Sequence, residues 1–351
     1  MNILVEILHP AHVHFFRNAI HAWRDRGDKV LVLSREKECA NDLLKAYRIP
    51  FTSISKIQPQ KSRLLIEMLQ RDIRMWSACH TFKPDVLTGI MGVTIAQVGK
   101  LIRKPAVVFY DTENASLTNR FVYPLAHAVC TPDCYKGPVQ GNHVTYPGYH
   151  ELAYLHPNRF TPDLNIVRES GVDPEIPYFI LRLVSWQASH DVGEAGLESQ
   201  MLKQMIERLQ PHGRILITSE KPLPPELDPM RFHCPPEDMH HFLAHAALLV
   251  GESATMASEA AVLGTPAFFI SDTGRGYTDE EEEKYGLVFN FKRNQLADIM
   301  QKLEDLLQIP DLRKAFAPNR KKLLDDKIDT TGWVMSYLDN VAQKKSTEGK
   351  S

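Results

Sequence analysis

Short β-branched runs alternate with amphipathic stretches from the first residues of the chain. "NILVEI" (2–7) predicts a strand, residues from about His12 to Arg26 a helix, and "KVLVLS" (29–34) a second strand. Val13, Phe16, Ile20 and Trp23 fall on one stripe of that helix, and Gly27 in "DRGDKV" supplies its stop. "FTSIS" (51–55), "DVLTG" (85–89), "PAVVFYD" (105–111) and "AVCTP" (128–132) keep the same rhythm. The first 150 residues therefore predict a doubly wound parallel sheet.

From about 141 to 177 the text turns rich in proline, glycine and aromatic residues, which predicts a linker and domain edge over 151–177. The strand rhythm then restarts with "YFILRLV" (178–184), "RILITS" (214–219), "RFHCP" (231–235), "ALLVG" (247–251) and "PAFFIS" (266–271). The expected class is α/β, with Rossmann-like domains over 1–150 and 178–340 facing each other across a cleft, and a polar tail over 341–351. The run "DEEEE" (279–283) suits a solvated helix start.

Composition narrows the function. A chain of 351 residues with 43% hydrophobic content can bury two cores. Its 41 basic and 43 acidic residues, net −2, give no sequence-wide pull toward nucleic acid or anionic lipid. The start "MNILVEILHP" lacks a signal-peptide pattern, and no apolar run approaches the roughly 18 residues of a membrane span, so a cytoplasmic protein is expected. The five cysteines are scattered, and Cys130 with Cys134 has no second pair to complete a zinc site. No cofactor is expected.

The stretch "GESATMASEAAVLGTPAFF" (251–269) predicts a strand end, a small polar turn and a helix. The amides of Ala254, Thr255 and Met256 would open that helix at the carboxyl edge of the sheet, where a diphosphate fits. Ser253 is placed as the N-cap, and Glu259 one to two turns further on, where its carboxylate reaches the hydroxyls of a ribose. The plainer alternative has Ser253 only capping and Glu259 solvated. In the first half, "HPAHVH" sets His12 and His14 in H-x-H spacing. A metal would need further His and Asp ligands from later strands, and His240, His241 and His245 lie on a helix of the other domain. His12 is expected instead as a general base, with Asp111 and Glu113 at a strand end as the competing acids or as turn residues.

Two segments carry a family resemblance: "PPEDMHHFLAHAALLVGESATMASEAAVLGTPAFF" (235–269) and "PAVVFYDTENASLTNRFVYPLAHAVCTP" (105–132). The chain resembles the GT-B glycosyltransferase superfamily, in particular the enzymes that move N-acetylglucosamine from UDP onto a lipid-linked peptidoglycan precursor. It looks still closer to a family of GT-B-like proteins of unknown function, DUF354, over most of 1–340. The resemblance implies Glu259 at the donor ribose, His12 in the cleft, and transfer from a UDP-linked sugar to a hydroxyl acceptor in glycan, polysaccharide or glycolipid biosynthesis. It departs at two loops that are glycine-rich in the glycosyltransferase and here read "HPAHVHFF" and "LRLVSWQASHD". In the second, Arg182 and Ser185 are expected to replace backbone amides at the phosphates, unless Arg182 is a surface arginine. The alternatives are a hydrolysing UDP-N-acetylglucosamine 2-epimerase-like enzyme and a non-catalytic nucleotide-sugar-binding protein. A lipid-linked acceptor would suit a peripheral membrane contact by "KSRLLIEMLQRDIRMW" (61–76), a helix with Leu65, Met68, Leu69, Asp72 and Met75 near one face and Lys61, Arg63, Arg71 and Arg74 around it. The same pattern also fits a core-facing helix with a solvated basic side.

Overall fold

The computed structural model describes residues 1–56, 64–113, 119, 122–184, 196–219 and 222–348. The chain forms two compact units, Met1–Arg159 together with the segment from Lys327 onward, and Phe160–Asp326.

In the first unit, β1 (Asn2–Ile7), β2 (Lys29–Glu36), β3 (Thr52–Lys56), β4 (Val86–Ile90), β5 (Ala106–Phe109), β6 (Ala128–Pro132) and β7 (His143–Tyr146) form one parallel sheet in the order β3-β2-β1-β4-β5-β6-β7. Ile3 of central β1 stands between Val30 and Val86. Helices on both faces leave such a strand no solvated side, which is why "ILV" runs unbroken by polar residues. α1 (Pro10–Asp25) begins where His9 Nδ1 accepts the Ala11 N–H at 3.3 Å and Pro10 takes the first helical position. Its stripe of Val13, Phe16, Ile20 and Trp23 is fully buried, as the spacing predicts. α2 (Ala40–Ala46), α3 (Leu64–Phe82), α4 (Val93–Leu101) and the short α5 (Leu152–Leu155) follow.

In the second unit, β8 (Tyr178–Leu183), β9 (Arg214–Ser219), β10 (Leu248–Gly251), β11 (Ala267–Ile270) and β12 (Val288–Phe291) pair in parallel in the order β12-β11-β10-β8-β9. Its helices are α6 (Leu164–Glu169), α7 (Gly196–Leu209), α8 (Met239–His245), α9 (Ala254–Leu263), α10 (Gly276–Glu283), α11 (Leu296–Leu307) and α12 (Leu312–Asp326).

Several expectations are corrected. The proline- and glycine-rich text hides β7, which pairs with β6, and α5, whose four side chains are all buried. The boundary therefore falls at Arg159 and not at residue 150. Residues 327–340 pack in the first unit and not the second, and 341–348 continue the helix α13 (Thr330–Glu348) where a polar tail was expected. The reason is long-range bonding: Thr330 Oγ1 donates to Tyr149 O at 2.8 Å and Thr331 Oγ1 to Ala153 O at 2.6 Å, while the Trp333 ring lies 4.7 Å from that of Tyr146. "RFHCP" makes only an isolated bridge from Arg231 to Ile217, and β12 is the fifth strand instead. "DEEEE" lies in the later part of α10, and Glu281 is buried, accepting from Ser258 Oγ at 2.6 Å.

α3 also turns over. Its core face carries Met75 and Cys79 together with Arg71, whose Nε donates to Thr94 Oγ1 at 2.8 Å and lies 3.7 Å from Glu6 Oε1. Ile66, Leu69, Ile73 and Trp76 face outward. The expected arrangement put Leu69 with Met75 and left Arg71 solvated; two buried carboxylates, Glu6 and Glu67, draw the guanidinium inward instead. Lys61, Arg63 and the side chain of Leu65 lie outside the described residues. No described helix is long and apolar enough to cross a membrane.

Candidate functional site

In the first unit, three titratable side chains come to the carboxyl edge of the sheet, the edge at which open parallel sheets bind ligands. His12 comes from the first turn of α1 after β1, Asp111 follows β5, and His150 follows β7. Asp111 Oδ2 lies 3.1 Å from His150 Nδ1, and Asp111 Oδ1 accepts from Thr112 Oγ1 at 3.1 Å. Burial alone would raise the Asp111 carboxyl, but the charge and hydrogen bond of the His150 imidazole, with Thr112 behind them, outweigh it and hold Asp111 at about 2. At neutral pH Asp111 is a fixed anion that orients His150. Once Nδ1–H is given to Asp111, His150 has its other nitrogen left; Nε2 is buried and has no hydrogen-bond partner among the described residues. The Phe15 ring packs beside it, 4.5 Å between centroids.

His12 is bonded differently. The Leu8 N–H donates to its Nδ1 at 3.3 Å, so the neutral imidazole carries its proton on Nε2. Burial, then the neighbouring His9, keeps its pKa well below 6.5, and the Asp111 charge does not reverse this. His12 thus offers a donor at Nε2, while the lone pair that a base would use is engaged by the backbone. Glu113 takes another direction, its Oε1 accepting the Lys136 N–H at 3.3 Å. His14 stacks on the Tyr154 ring at 5.3 Å, with its Nδ1 3.3 Å from the Tyr47 hydroxyl.

In the second unit, β10 ends at Gly251, where a Cβ would stand 2.6 Å from the Arg182 carbonyl oxygen; only glycine lets β10 approach β8 this closely. The Glu252 N–H donates to the same carbonyl at 3.1 Å. Glu252 Oε2 accepts the Val184 N–H at 2.9 Å and Oε1 lies 3.2 Å from Arg293 Nη2, which ties the chain after β8 to the turn after β12. Ser253 caps α9, its Oγ accepting the Met256 N–H at 3.3 Å. The Met256 amide is therefore used by the cap, where three open amides were expected. Those of Ala254 and Thr255 have no hydrogen bond among the described residues, and the first turn holds no acidic side chain.

Glu259 turns into the core between α8 and α9. It is 5% exposed, and its Oε1 lies 2.9 Å from His240 Nε2. The solvated alternative for Glu259 is thereby overturned, because its position on α9 faces α8 and not water. Arg182 is half-buried on β8, and Ser185 lies outside the described residues. Sequence patterns missed His150, His240 as the partner of Glu259, Glu252 and Arg293. His150 sits in text that reads as a linker, and each of the others gains its meaning from a partner 19 or more residues away.

Two Rossmann-like units with parallel sheets define the GT-B-like class of α/β fold. The chain superposes on spinosyn forosaminyltransferase SpnP with a TM-score of 0.63 at 12% identity, covering 98% of this chain and 99% of that one. It superposes on the UDP-GlcNAc 2-epimerase of Neisseria meningitidis, in a structure with UDP-GlcNAc bound, with a TM-score of 0.64 at 11% identity and full coverage of both chains, 100% each. Residues 1–273 match the family model described as "Protein of unknown function (DUF354)", and the chain belongs to that family. It is also similar to the uncharacterized protein MJ0665 of Methanocaldococcus jannaschii, with 22% identity over 278 residues, 76% of this chain and 80% of that protein.

Proposed function

We propose that this protein is a metal-independent glycosyltransferase that takes a UDP-linked sugar and passes it to a hydroxyl acceptor in glycan, polysaccharide or glycolipid biosynthesis. The observation that carries the proposal is the opening of α9: two uncommitted amides at the carboxyl edge of the second sheet, on a helix start without a carboxylate in its first turn. The amides of Ala254 and Thr255, with Arg182 beside them, hold the diphosphate, and Glu259, braced by His240, takes the ribose hydroxyls. The acceptor hydroxyl gives its proton to an imidazole, its oxygen attacks the anomeric carbon, and the bond from that carbon to the diphosphate breaks. The diphosphate leaves with the electron pair, and the helix N-terminus and Arg182 meet its charge.

Bonding pattern moves the choice of base from His12 to His150. Asp111 orients His150 and leaves Nε2 as the uncommitted acceptor, whereas His12 keeps its donor face. A thermal-shift panel of nucleotides and nucleotide sugars tests the donor site, since a ligand at 100 times its Kd stabilises by about 2.7 kcal/mol. A panel without any stabilising nucleotide overturns the proposal. Product analysis with UDP-N-acetylglucosamine alone separates the other activities: turnover without acceptor marks an epimerase, and binding without turnover for any acceptor marks a non-catalytic binding protein.

A further inference from the structure

Of the six large apolar side chains exposed among the described residues, five belong to two helices of the first unit: Ile66, Leu69, Ile73 and Trp76 on α3 and Leu101 on α4. A groove of about 210 Å³ joins the two helices, walled by Ile73 and Trp76 on one side and by Val98 and Leu101 on the other. Single exposed apolar residues are ordinary on a soluble protein, but a contiguous face of this kind marks a surface that a partner covers. Neither the acid–base residues nor the opening of α9 uses it.

The spacing on α3 selects the partner. Ile66, Leu69, Ile73 and Trp76 follow one another at steps of three, four and three residues, the a and d places of a heptad. A stripe of that width fits one facing helix, and it is a second apolar face, since Met75 and Cys79 already turn the other side of α3 to the core. Its flank is uncharged: Gln70, Ser77 and Thr81 stand exposed beside it. Arg74 Nη1 is drawn to Ile54 O at 2.5 Å, and Asp72, at the edge of the groove, is held by the Thr94 hydroxyl and the Arg71 charge. A helix that rests on lipid carries lysine and arginine along its polar face. A two-fold contact instead sets the same patch against itself, so charges near the axis would meet their own copies, and this face keeps them away.

We infer that this face is an interface between two copies of the chain, with α3 of one copy antiparallel to α3 of the other about an axis through the middle of the stripe. Ile66 of each copy then faces Trp76 of the other, Leu69 faces Ile73, and the grooves beside α4 take the side chains of the opposite helix. The apolar side chains of two such faces remove on the order of 1,000 Å² from water, the lower bound of a specific interface, so the dimer should form at micromolar concentration.

Sedimentation equilibrium of the full chain from about 1 to 100 µM tests the inference. The average mass of wild type is expected to climb from that of one chain toward that of two. Ile73→Glu should weaken association about 100-fold or more, because each dimer would then bury two unpaired carboxylates. Ile73 is 65% exposed, so that variant should melt with wild type. Leu69→Lys should also stay monomeric alone, and an equal mixture with Ile73→Glu should regain the dimer, since the antiparallel register sets that lysine against that glutamate. A wild type that keeps the mass of one chain throughout, an Ile73→Glu variant that associates as wild type does, or a mixture that stays monomeric would overturn the inference. So would monomeric wild type that floats with phosphatidylglycerol vesicles while Ile73→Glu does not, which would give the face to a lipid surface.

Discussion

The pairing of Asp111 with His150 leaves His150 Nε2 without a hydrogen-bond partner among the described residues, which is what makes His150 the proposed base. His150→Ala is expected to lower turnover by roughly 100-fold to 10,000-fold with donor binding nearly intact, since a positioned base contributes about that much. His12→Ala should cost less, because it removes a donor and leaves the base in place. Steady-state kinetics beside calorimetric donor binding check this, and the reverse order of losses returns the role to His12. Glu6 allows a test that needs no substrate. Burial pushes its carboxyl from 4.5 up to about 7 against the pull of Arg71. The folded state therefore binds more protons than the unfolded one between those values, and stability falls as pH rises through that window. Glu6→Gln removes the cost of burying the charge. It should be more stable than wild type at pH 8, on the order of 1 to 3 kcal/mol, with the gain shrinking toward pH 4.5. Denaturant melts at both pH values decide it, and a pH-independent difference would refute it.

At the scale of elements, α9 was the most legible part of the chain, and its partners were the least. Ser253 as cap and Gly264 as stop fix its ends, with Gly264 at a φ of 92° as the left-handed exit requires. No local spacing could tell that α8 would lie against it and place His240 on Glu259. That contact changes what a mutation there means. Glu259→Gln keeps the volume but weakens the bond to His240, so a loss of nucleotide binding alone is ambiguous. A cycle resolves it: calorimetry of wild type and Glu259→Gln with UDP and with its 2′,3′-dideoxy form. If Glu259 accepts from the ribose, each single change costs about tenfold to a hundredfold and the second change adds almost nothing. Independent, additive losses would leave Glu259 as the partner of His240 and nothing more.

For the whole molecule, the segment after Asp326 is the decisive piece, since it completes a unit whose other residues end at Arg159. Lys327 Nζ meets Asp133 Oδ1 at 2.8 Å, Leu338 is fully buried, and Trp333 covers Tyr146. A chain truncated after Asp326 is expected to lose the cooperative melt of the first unit, by several kcal/mol from exposed apolar area, or to aggregate. A calorimetric scan with the first-unit transition unchanged would refute this. Sequence by itself determined the two runs of α/β units, ten of the twelve strands among the described residues, the buried stripe of α1 and the capped start of α9. Those follow from periodicity and from glycine and cap chemistry, which act within a few residues. Tertiary structure alone decided where the units divide, that Arg71 and Glu281 are buried, that His150 belongs with Asp111, and that Glu259 belongs with His240. Each of those depends on a partner distant in the chain, whose charge, hydrogen bond or packed surface no local pattern records.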